Sequence, residues 1–317
     1  MMYAVKRLPS IISGRPVCFN FSSRAMKPAT NQYCIDLVRT HDFENFLSTL
    51  LISGPAERRG AFAVRAFNVE IAKIAGSVSD DKLGQMRLRF WTDSLNRLYD
   101  QGAKTAIPDH PVIYELNRIV TDHKVKKLHL QRLIQARQRT SNMMFETVEQ
   151  LEQYAETSTS SIYYVLLKIF GIDDMNADHA VSHLGKAQGI MNMIRTLVAL
   201  RGANSRGMSA LPPIPQEILL KHGCSYEQIL RQRDNEVAVQ DCLFDVASVA
   251  KIHLEKSRSL SGKLSTDTKR ILLPAISVDR FLARLQVANF KLTNPRLAKR
   301  DSLLPVALFW NKMLRKY

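Results

Sequence analysis

The chain has 317 residues, 45% of them hydrophobic, which is enough for a buried core in one large domain or two small ones. Its 45 basic and 29 acidic residues give a formal charge of +16, which indicates an anionic partner: nucleic acid, a membrane face or a phosphorylated ligand. No apolar run approaches the roughly 20 residues that span a bilayer, so the sequence excludes a membrane-spanning helix and favours a soluble or peripheral protein.

The first 32 residues have the composition of a targeting segment. They contain no acid, since the first acidic residue is Asp36, and they mix serines with five basic residues: Lys6, Arg7, Arg15, Arg24 and Lys27. This pattern predicts a mitochondrial transit peptide over residues 1–32, with a disordered basic tail as the alternative. The four cysteines have no metal-ligand spacing, and a reducing compartment fits them.

Beyond the leader, apolar residues recur at spacings of three and four, and no alternation is long enough for a sheet. In chain order the pattern predicts helices over Pro55–Ile74, Asp80–Tyr99, Ile113–Asp122, Leu128–Gln138, Val148–Phe170, Ala177–Leu200, Asn235–Ser259, Thr266–Ala288 and Leu303–Arg315. Pro274 predicts a kink or break in the eighth of these helices. The sequence therefore predicts one all-α domain over residues 33–317.

Three stretches carry a family resemblance when they are read in order. The first is AFAVRAFNVEIAKIAG (Ala61–Gly76), which precedes a tryptophan-bearing segment, RLRFWTDSL. The second is YAETSTSSIYYVLLKIFG (Tyr154–Gly171), and the third is GIMNMIRTLVALRGANSRGMSALP (Gly189–Pro212). Their order and separation resemble the squalene/phytoene synthase family from about Tyr33 to the C terminus. The resemblance implies a single helical bundle of the isoprenoid synthase type with a central cavity.

The same resemblance implies a metal-dependent chemistry that can be checked residue by residue. Enzymes of that family carry two aspartate-rich helices that face each other across the cavity. Aspartates four residues apart share one face of a helix, and such carboxylates hold Mg²⁺ ions that bind the diphosphate of a prenyl substrate. The metal stabilises the departing diphosphate. Without these carboxylates the metal has no binding site, because Mg²⁺ requires hard oxygen ligands.

Neither cluster is present in this sequence when the framing residues are aligned. The acidic positions of the first motif fall on Ala72, Lys73 and Gly76, and those of the second fall on Thr196 and Leu200. The family's GR-x-Y-L-P loop becomes GMSALP, so its arginine and tyrosine are replaced as well. The sequence therefore predicts a pseudoenzyme with no catalytic residue, no metal site and no cofactor.

A divergent branch of the family has this profile, and its first helix resembles AFNVEIA (Ala66–Ala72). The resemblance implies an assembly factor for mitochondrial respiratory complex I, NADH:ubiquinone oxidoreductase, acting early in membrane-arm biogenesis. It also implies a peripheral location on the matrix side of the inner membrane, with complex I assembly intermediates or subunits as partners. Two alternatives stay open: a binder of a prenyl diphosphate or lipid, and an active isoprenoid transferase with an atypical site.

Four basic residues are candidate contacts for a phosphate or lipid headgroup: Lys73, Arg139, Arg195 and Arg201. Cations hold such groups directly, without a metal. The alternative is that they are surface charges, or that one or two of them pair with Glu70. The bases of the chain are scattered and no recognised module accompanies them, so no nucleic-acid partner is predicted.

Two further features have competing interpretations. His179 and His183 are four residues apart on a predicted helix, a spacing that suits zinc, but no obvious set of ligands completes the site. The C-terminal run SLLPVALFWNKMLRKY combines large apolar residues with cations. It predicts either a helix docked on the core with a basic end or an interfacial helix on an anionic bilayer.

Overall fold

The computed structural model describes residues 30–77, 81–100, 107–138, 144–202, 214–230 and 237–317. Most of the predicted leader, residues 1–29, lies outside this range, and the first helix begins at Thr30, inside the segment assigned to the leader. The described residues form helices, turns and irregular segments with no strand among them. The all-α prediction is therefore confirmed.

The described ranges contain sixteen α-helices, named here in chain order. They are α1 (Thr30–His41), α2 (Phe43–Leu50), α3 (Pro55–Ser77), α4 (Asp81–Tyr99), α5 (Pro111–His123), α6 (Lys127–Gln138), α7 (Val148–Ala155), α8 (Ser161–Ile169), α9 (Met175–Gly202), α10 (Gln216–Lys221), α11 (Tyr226–Leu230), α12 (Val237–Ser259), α13 (Thr266–Ile271), α14 (Ala275–Val287), α15 (Pro295–Ala298) and α16 (Leu304–Met313). A π-helical turn, Glu156–Ser160, joins α7 to α8. All nine predicted helices correspond to helical segments, and the break at Pro274 separates α13 from α14.

Helix α9 lies at the centre of the bundle. It packs against α7, the π turn, α8, α12, α14 and α15, and most of its middle turns are buried. Two glycines allow the closest of these contacts. A Cβ atom on Gly185 would lie 2.5 Å from Cα of Ser160, and one on Gly189 would lie 2.8 Å from Cα of Ala155. No side chain fits at those distances, so the two glycines set how near the helices come.

The buried apolar side chains form one continuous cluster that extends from α1 to α15. A smaller cluster joins α16 to the core through Leu304 and Leu308, which pack with Leu273 and Ile276. The expectation that the C-terminal run forms a docked helix thus agrees with the structure. No helix among the described residues combines the length and apolar character that a bilayer crossing needs.

Buried polar contacts fix α1, α3 and α5 relative to one another. The Arg59 guanidinium donates two hydrogen bonds to Glu115, at 2.7 and 2.8 Å, and the Thr30 hydroxyl donates a third at 2.5 Å. Burial alone would raise the pKa of Glu115, but these hydrogen bonds lower it below its ordinary value. The carboxylate therefore stays charged although its side chain is only 3% exposed.

His183 contacts a histidine of another helix. Its Nδ1 atom lies 2.9 Å from Nδ1 of His253 on α12, and Nε2 of His253 lies 3.1 Å from Glu152 on α7. Burial, together with the neighbouring cationic groups, lowers the pKa of His183 to about 4, and burial lowers that of His253. Among the described residues, no three His, Cys, Asp or Glu side chains converge as a metal site, and His179 is exposed.

We expect Gly189→Ala to destabilise the fold. The added methyl group would lie 2.6 Å from Cβ of Ala155 at the end of α7 and 3.1 Å from Oγ1 of Thr159 in the π turn, and it would force this segment away from α9. Overpacking of this kind costs about 1–3 kcal/mol, against which the higher helix propensity of alanine returns about 1 kcal/mol. Urea unfolding would measure the difference. Gly262→Ala is the control, since nothing lies within 4 Å of its added Cβ, and equal stability of both variants would contradict the packing argument.

The His183–His253 contact predicts an acid-dependent loss of stability. Both histidines have lowered pKa values, so the unfolded chain binds protons more readily than the native protein. Stability should be complete above the ordinary histidine pKa of about 6.5 and fall as the pH drops toward 4, with roughly 2 kcal/mol from His183 after allowance for screening. His183→Asn should flatten the pH dependence of the urea midpoint in this window, whereas His179→Asn should not. The same slope in both variants would overturn this assignment.

Candidate functional site

A cavity of about 570 Å³ lies between the α1–α2 junction, one face of α3, one face of α9 and the segment that leads into α16. Helix α3 contributes Asn68 and Ala72 from one face, four residues apart, together with the adjacent Val69 and Lys73. Because Lys73 is exposed, the cavity opens to solvent and is not enclosed at the centre of the bundle.

Helix α9 supplies the opposite wall through Asn192, Arg195 and Thr196, which are three and four residues apart along one face. The structure thus brings Ala72 and Lys73 of the first aligned motif to the same cavity as Thr196 of the second. The structure does not describe the surroundings of Gly76 or the side chains of Leu200 and Arg201. Arg139 lies outside the described residues altogether.

Arg195 is bound by a carboxylate that no local sequence pattern relates to it. Its guanidinium donates to both oxygens of Glu44 on α2, with a distance of 2.6 Å for the bond from Nη2 to Oε1. The same guanidinium lies over the ring of Phe281, 4.6 Å from the ring centroid. This planar, two-bonded geometry uses much of the hydrogen-bonding capacity of Arg195 within the chain. The arginine predicted as an anion contact is therefore engaged, with Glu44 and not with Glu70.

The other two acids of the cavity are also engaged by side chains of this protein. Asp301 accepts hydrogen bonds of 2.6 and 3.0 Å from Arg280. Asp42 accepts two from the Asn45 amide, at 2.9 and 3.0 Å. Burial raises the pKa of Asp42, an effect that the nearby Arg65 partly offsets. Each of the three acids that line the cavity therefore has a side-chain partner within the protein.

Two cations of the cavity have no carboxylate partner among the described residues. Lys73 makes no ion pair in that part of the chain, and Arg300 lies over the ring of Phe43, 4.4 Å from its centroid. Since the three acids are already paired or hydrogen-bonded, these cations give the cavity a positive character. Such a lining favours an anionic group over a metal cation.

Lys73 also reaches a second cavity, of about 320 Å³, between α3 and α4. Glu70 lies there and accepts a 2.8 Å hydrogen bond from the Tyr33 hydroxyl. Burial and this contact raise the pKa of Tyr33 to about 12. Burial lowers the pKa of His110 in the same cavity, so this imidazole is neutral near pH 7. Within the described ranges, Glu70 is thus paired with a tyrosine and not with a lysine or arginine.

The magnesium ions that the family resemblance implies do not fit the described donor set. A metal held between α3 and α9 would need free carboxylates on both walls. The described walls present a methyl group at Ala72, an ammonium at Lys73 and a hydroxyl at Thr196, which donates to the backbone oxygen of Asn192. We derive no metal-dependent step from this site.

Comparison with known proteins identifies the family. The family model for squalene/phytoene synthase matches residues 38–303. The chain belongs to the squalene/phytoene synthase family. Its fold resembles the crystal structure of squalene synthase HpnC from Alicyclobacillus acidocaldarius, with a TM-score of 0.68 and 19% identity over 83% of this chain and 95% of that one. At that identity the likeness supports the fold alone.

Two other relatives are more similar in sequence, and both are named as assembly factors. The chain is 41% identical to the NADH dehydrogenase (ubiquinone) complex I, assembly factor 6 homolog of Drosophila melanogaster, over 90% of this chain and 84% of that protein. It is 36% identical to NADH dehydrogenase (ubiquinone) complex I, assembly factor 6, of Homo sapiens, over 98% of this chain and 91% of that protein. The predicted family resemblance is confirmed.

The Arg195–Glu44 pair predicts a strong coupling between the two residues. Removing one partner leaves a half-buried charge without its counter-charge, so Arg195→Met and Glu44→Gln should each lower the free energy of unfolding by about 1–2 kcal/mol. The double variant should lose less than the sum of the two. Urea unfolding in a double-mutant cycle measures this coupling. Additive losses would show that the two side chains do not interact in solution.

Proposed function

We propose that this chain is a non-catalytic assembly factor for mitochondrial respiratory complex I, built on the frame of a prenyl synthase. The observation that carries the proposal is its similarity, along nearly the whole chain, to proteins named as complex I assembly factor 6. Enzymes share this fold, so the fold does not distinguish an assembly factor from an enzyme. The residues that line the cavity make that distinction.

The non-catalytic part of the proposal rests on the cavity walls. Glu44 and Asp301 are bound by arginines of this chain, and Asp42 by an asparagine. By residue type, Gly76 and Leu200 add no carboxylate to the aligned positions. A prenyl diphosphate would therefore lack the metal ions that activate it as a leaving group.

The location and stage of action follow from the same proposal. The acid-free, basic segment over residues 1–32 has the composition of a mitochondrial transit peptide, and residues 33–317 would be the functional domain. We place the protein on the matrix side of the inner membrane, in peripheral contact with it, during early membrane-arm assembly. Its partners would be complex I subunits or assembly intermediates.

One observation favours a second candidate function, the binding of a lipid or prenyl diphosphate without turnover. Lys73 has no carboxylate partner among the described residues and lines both cavities, so its ammonium is available to a phosphate group. Arg195 is less available because Glu44 holds it. This function is compatible with the first, since a bound lipid could be carried by an assembly factor.

Cells that lack the protein should lose assembled complex I while the other respiratory complexes remain at normal levels. Re-expression of the full chain should restore complex I, as measured by native gels and by NADH:ubiquinone oxidoreductase activity. Re-expression of the Drosophila relative is a useful reference, because it shares the similarity on which the proposal rests. An equal loss of several respiratory complexes would argue for a general mitochondrial role instead.

The purified protein should release no diphosphate from farnesyl diphosphate in the presence of Mg²⁺. The double variant Thr196→Asp, Leu200→Asp should also be inactive, because the α3 wall would still present Ala72 and Lys73. Turnover by either protein would contradict the non-catalytic assignment.

Metal-free binding of farnesyl diphosphate that is lost in Lys73→Gln would support the second candidate function.

A further inference from the structure

Helix α16 has apolar side chains on two opposite faces. Leu304 and Leu308 are buried against Leu273 and Ile276 of the smaller core cluster. The outer face carries six large apolar side chains that are 49–66% exposed: Leu303, Val306, Phe309, Trp310, Met313 and Leu314. We call these six residues the outer stripe. Single exposed apolar residues are ordinary on protein surfaces, but a continuous stripe along one helix marks a surface that binds something.

The exposure of the outer stripe does not come from a loosely attached helix. The chain beyond α16 is fixed to the core through Tyr317, whose ring is buried and whose hydroxyl donates a 2.8 Å hydrogen bond to the backbone oxygen of Ser257. Arg258 donates a 3.2 Å bond to the backbone oxygen of Tyr317. With the inner face packed and the chain end fastened, α16 cannot rotate to bury the outer stripe within the same molecule.

The charge around the outer stripe indicates the chemistry of its partner. Residues 280–317 contain nine lysines and arginines but a single acid, Asp301, which is already bound by Arg280. Three of the cations lie at or just beyond the C-terminal end of α16, next to the stripe: Lys312, Arg315 and Lys316. They form no ion pair with any described residue. An apolar stripe bordered by unpaired cations complements a surface with an apolar interior and anionic headgroups.

We propose that α16 is the surface by which this protein binds an anionic lipid bilayer. The helix lies in the plane of the interface, with the outer stripe inserted at the level of the headgroups and upper acyl chains. Phe309 and Trp310 lie in the middle of the stripe, and aromatic side chains, tryptophan above all, are favoured at this depth. Lys312, Arg315 and Lys316 contact lipid phosphates. The inference rests on the peripheral membrane contact proposed above and does not require a role in complex I assembly.

The two tryptophans of the chain make the test direct, because they differ in exposure. Trp91 is buried at 5% exposure and Trp310 is 63% exposed. In full-length Trp91→Phe protein, emission therefore reports Trp310 alone. Adding phosphatidylcholine vesicles that contain phosphatidylglycerol should shift this emission to shorter wavelength and protect it from acrylamide. Vesicles of phosphatidylcholine alone should have a much smaller effect. Trp310 emission that stays unchanged with anionic vesicles would overturn the proposal.

Vesicle flotation of variants separates the apolar and electrostatic contributions. Phe309→Ser with Trp310→Ser should weaken binding at least about tenfold, since two large apolar groups no longer insert. The control, Met175→Ser with Leu220→Ser, removes two apolar side chains elsewhere that are even more exposed, and it should bind normally. Equal loss in both, or none in the first, would show that α16 is not the binding surface.

Replacing Lys312, Arg315 and Lys316 together by glutamine should weaken binding to anionic vesicles by more than about tenfold at low salt. Replacing Lys124, Lys126 and Lys127 by glutamine makes the same change in net charge on the α5–α6 connection and should have a small effect. Suppose that neither triple glutamine variant alters flotation, but Phe309→Ser with Trp310→Ser abolishes complex I assembly in cells. The outer stripe then binds a protein, and the bilayer proposal is wrong. Normal vesicle binding by a protein that fails to support complex I would instead overturn only the assembly role.

Discussion

The close approach of α9 to the π turn is the constraint on which the rest of the bundle depends. Gly185 and Gly189 leave no room for a side chain, so the backbone at Ser160, in the π turn, and at Ala155, just before it, rests directly on α9. With this spacing set, α7 and α8 contact α9 on one side and α12 covers another. The position of α9 in turn determines where Arg195 and Thr196 meet the facing residues of α3.

The lining of the cavity differs from the one that the family resemblance implies for an enzyme, namely carboxylates on two facing helices that bind metal ions. In this protein the cavity between α3 and α9 contains an internal ion pair, Arg195 with Glu44, and the ammonium of Lys73, which has no ion-pair partner among the described residues. A guanidinium bound to a carboxylate supplies positive charge at a fixed position without a metal. Such a lining suits a protein whose proposed role is binding and not turnover.

The sequence predicted the long helices well because each buries an apolar stripe with regular spacing. It predicted neither α1 nor α2. Helix α2 buries Asn45, Ser48 and Thr49, so apolar periodicity could not reveal it. The short helices α10, α11 and α15 were also missed, since four to six residues contain too few turns to show a period.

The candidate site was predictable only in part. The family resemblance identified Ala72, Lys73 and Thr196, and the structure places all three at one cavity. Glu44 could not be found in the same way, because it is 151 residues from Arg195 and no local pattern relates the two. Likewise, residue spacing pointed from His183 to His179, although its ring contacts His253. Partners supplied by distant segments depend on the three-dimensional packing of the helices.

The π turn has a consequence for how this fold tolerates insertions and deletions. A π turn contains one more residue than the α-helical turn it replaces, and α7 and α8 are continuous on either side of it. Because the wide turn absorbs this extra residue, loss of a single residue within Glu156–Ser160 would restore regular winding and leave the buried sides of α7 and α8 nearly in register. The part of the chain that would change is the turn itself, so a chain shortened here would have to repack the contact between Ser160 and Gly185 on α9.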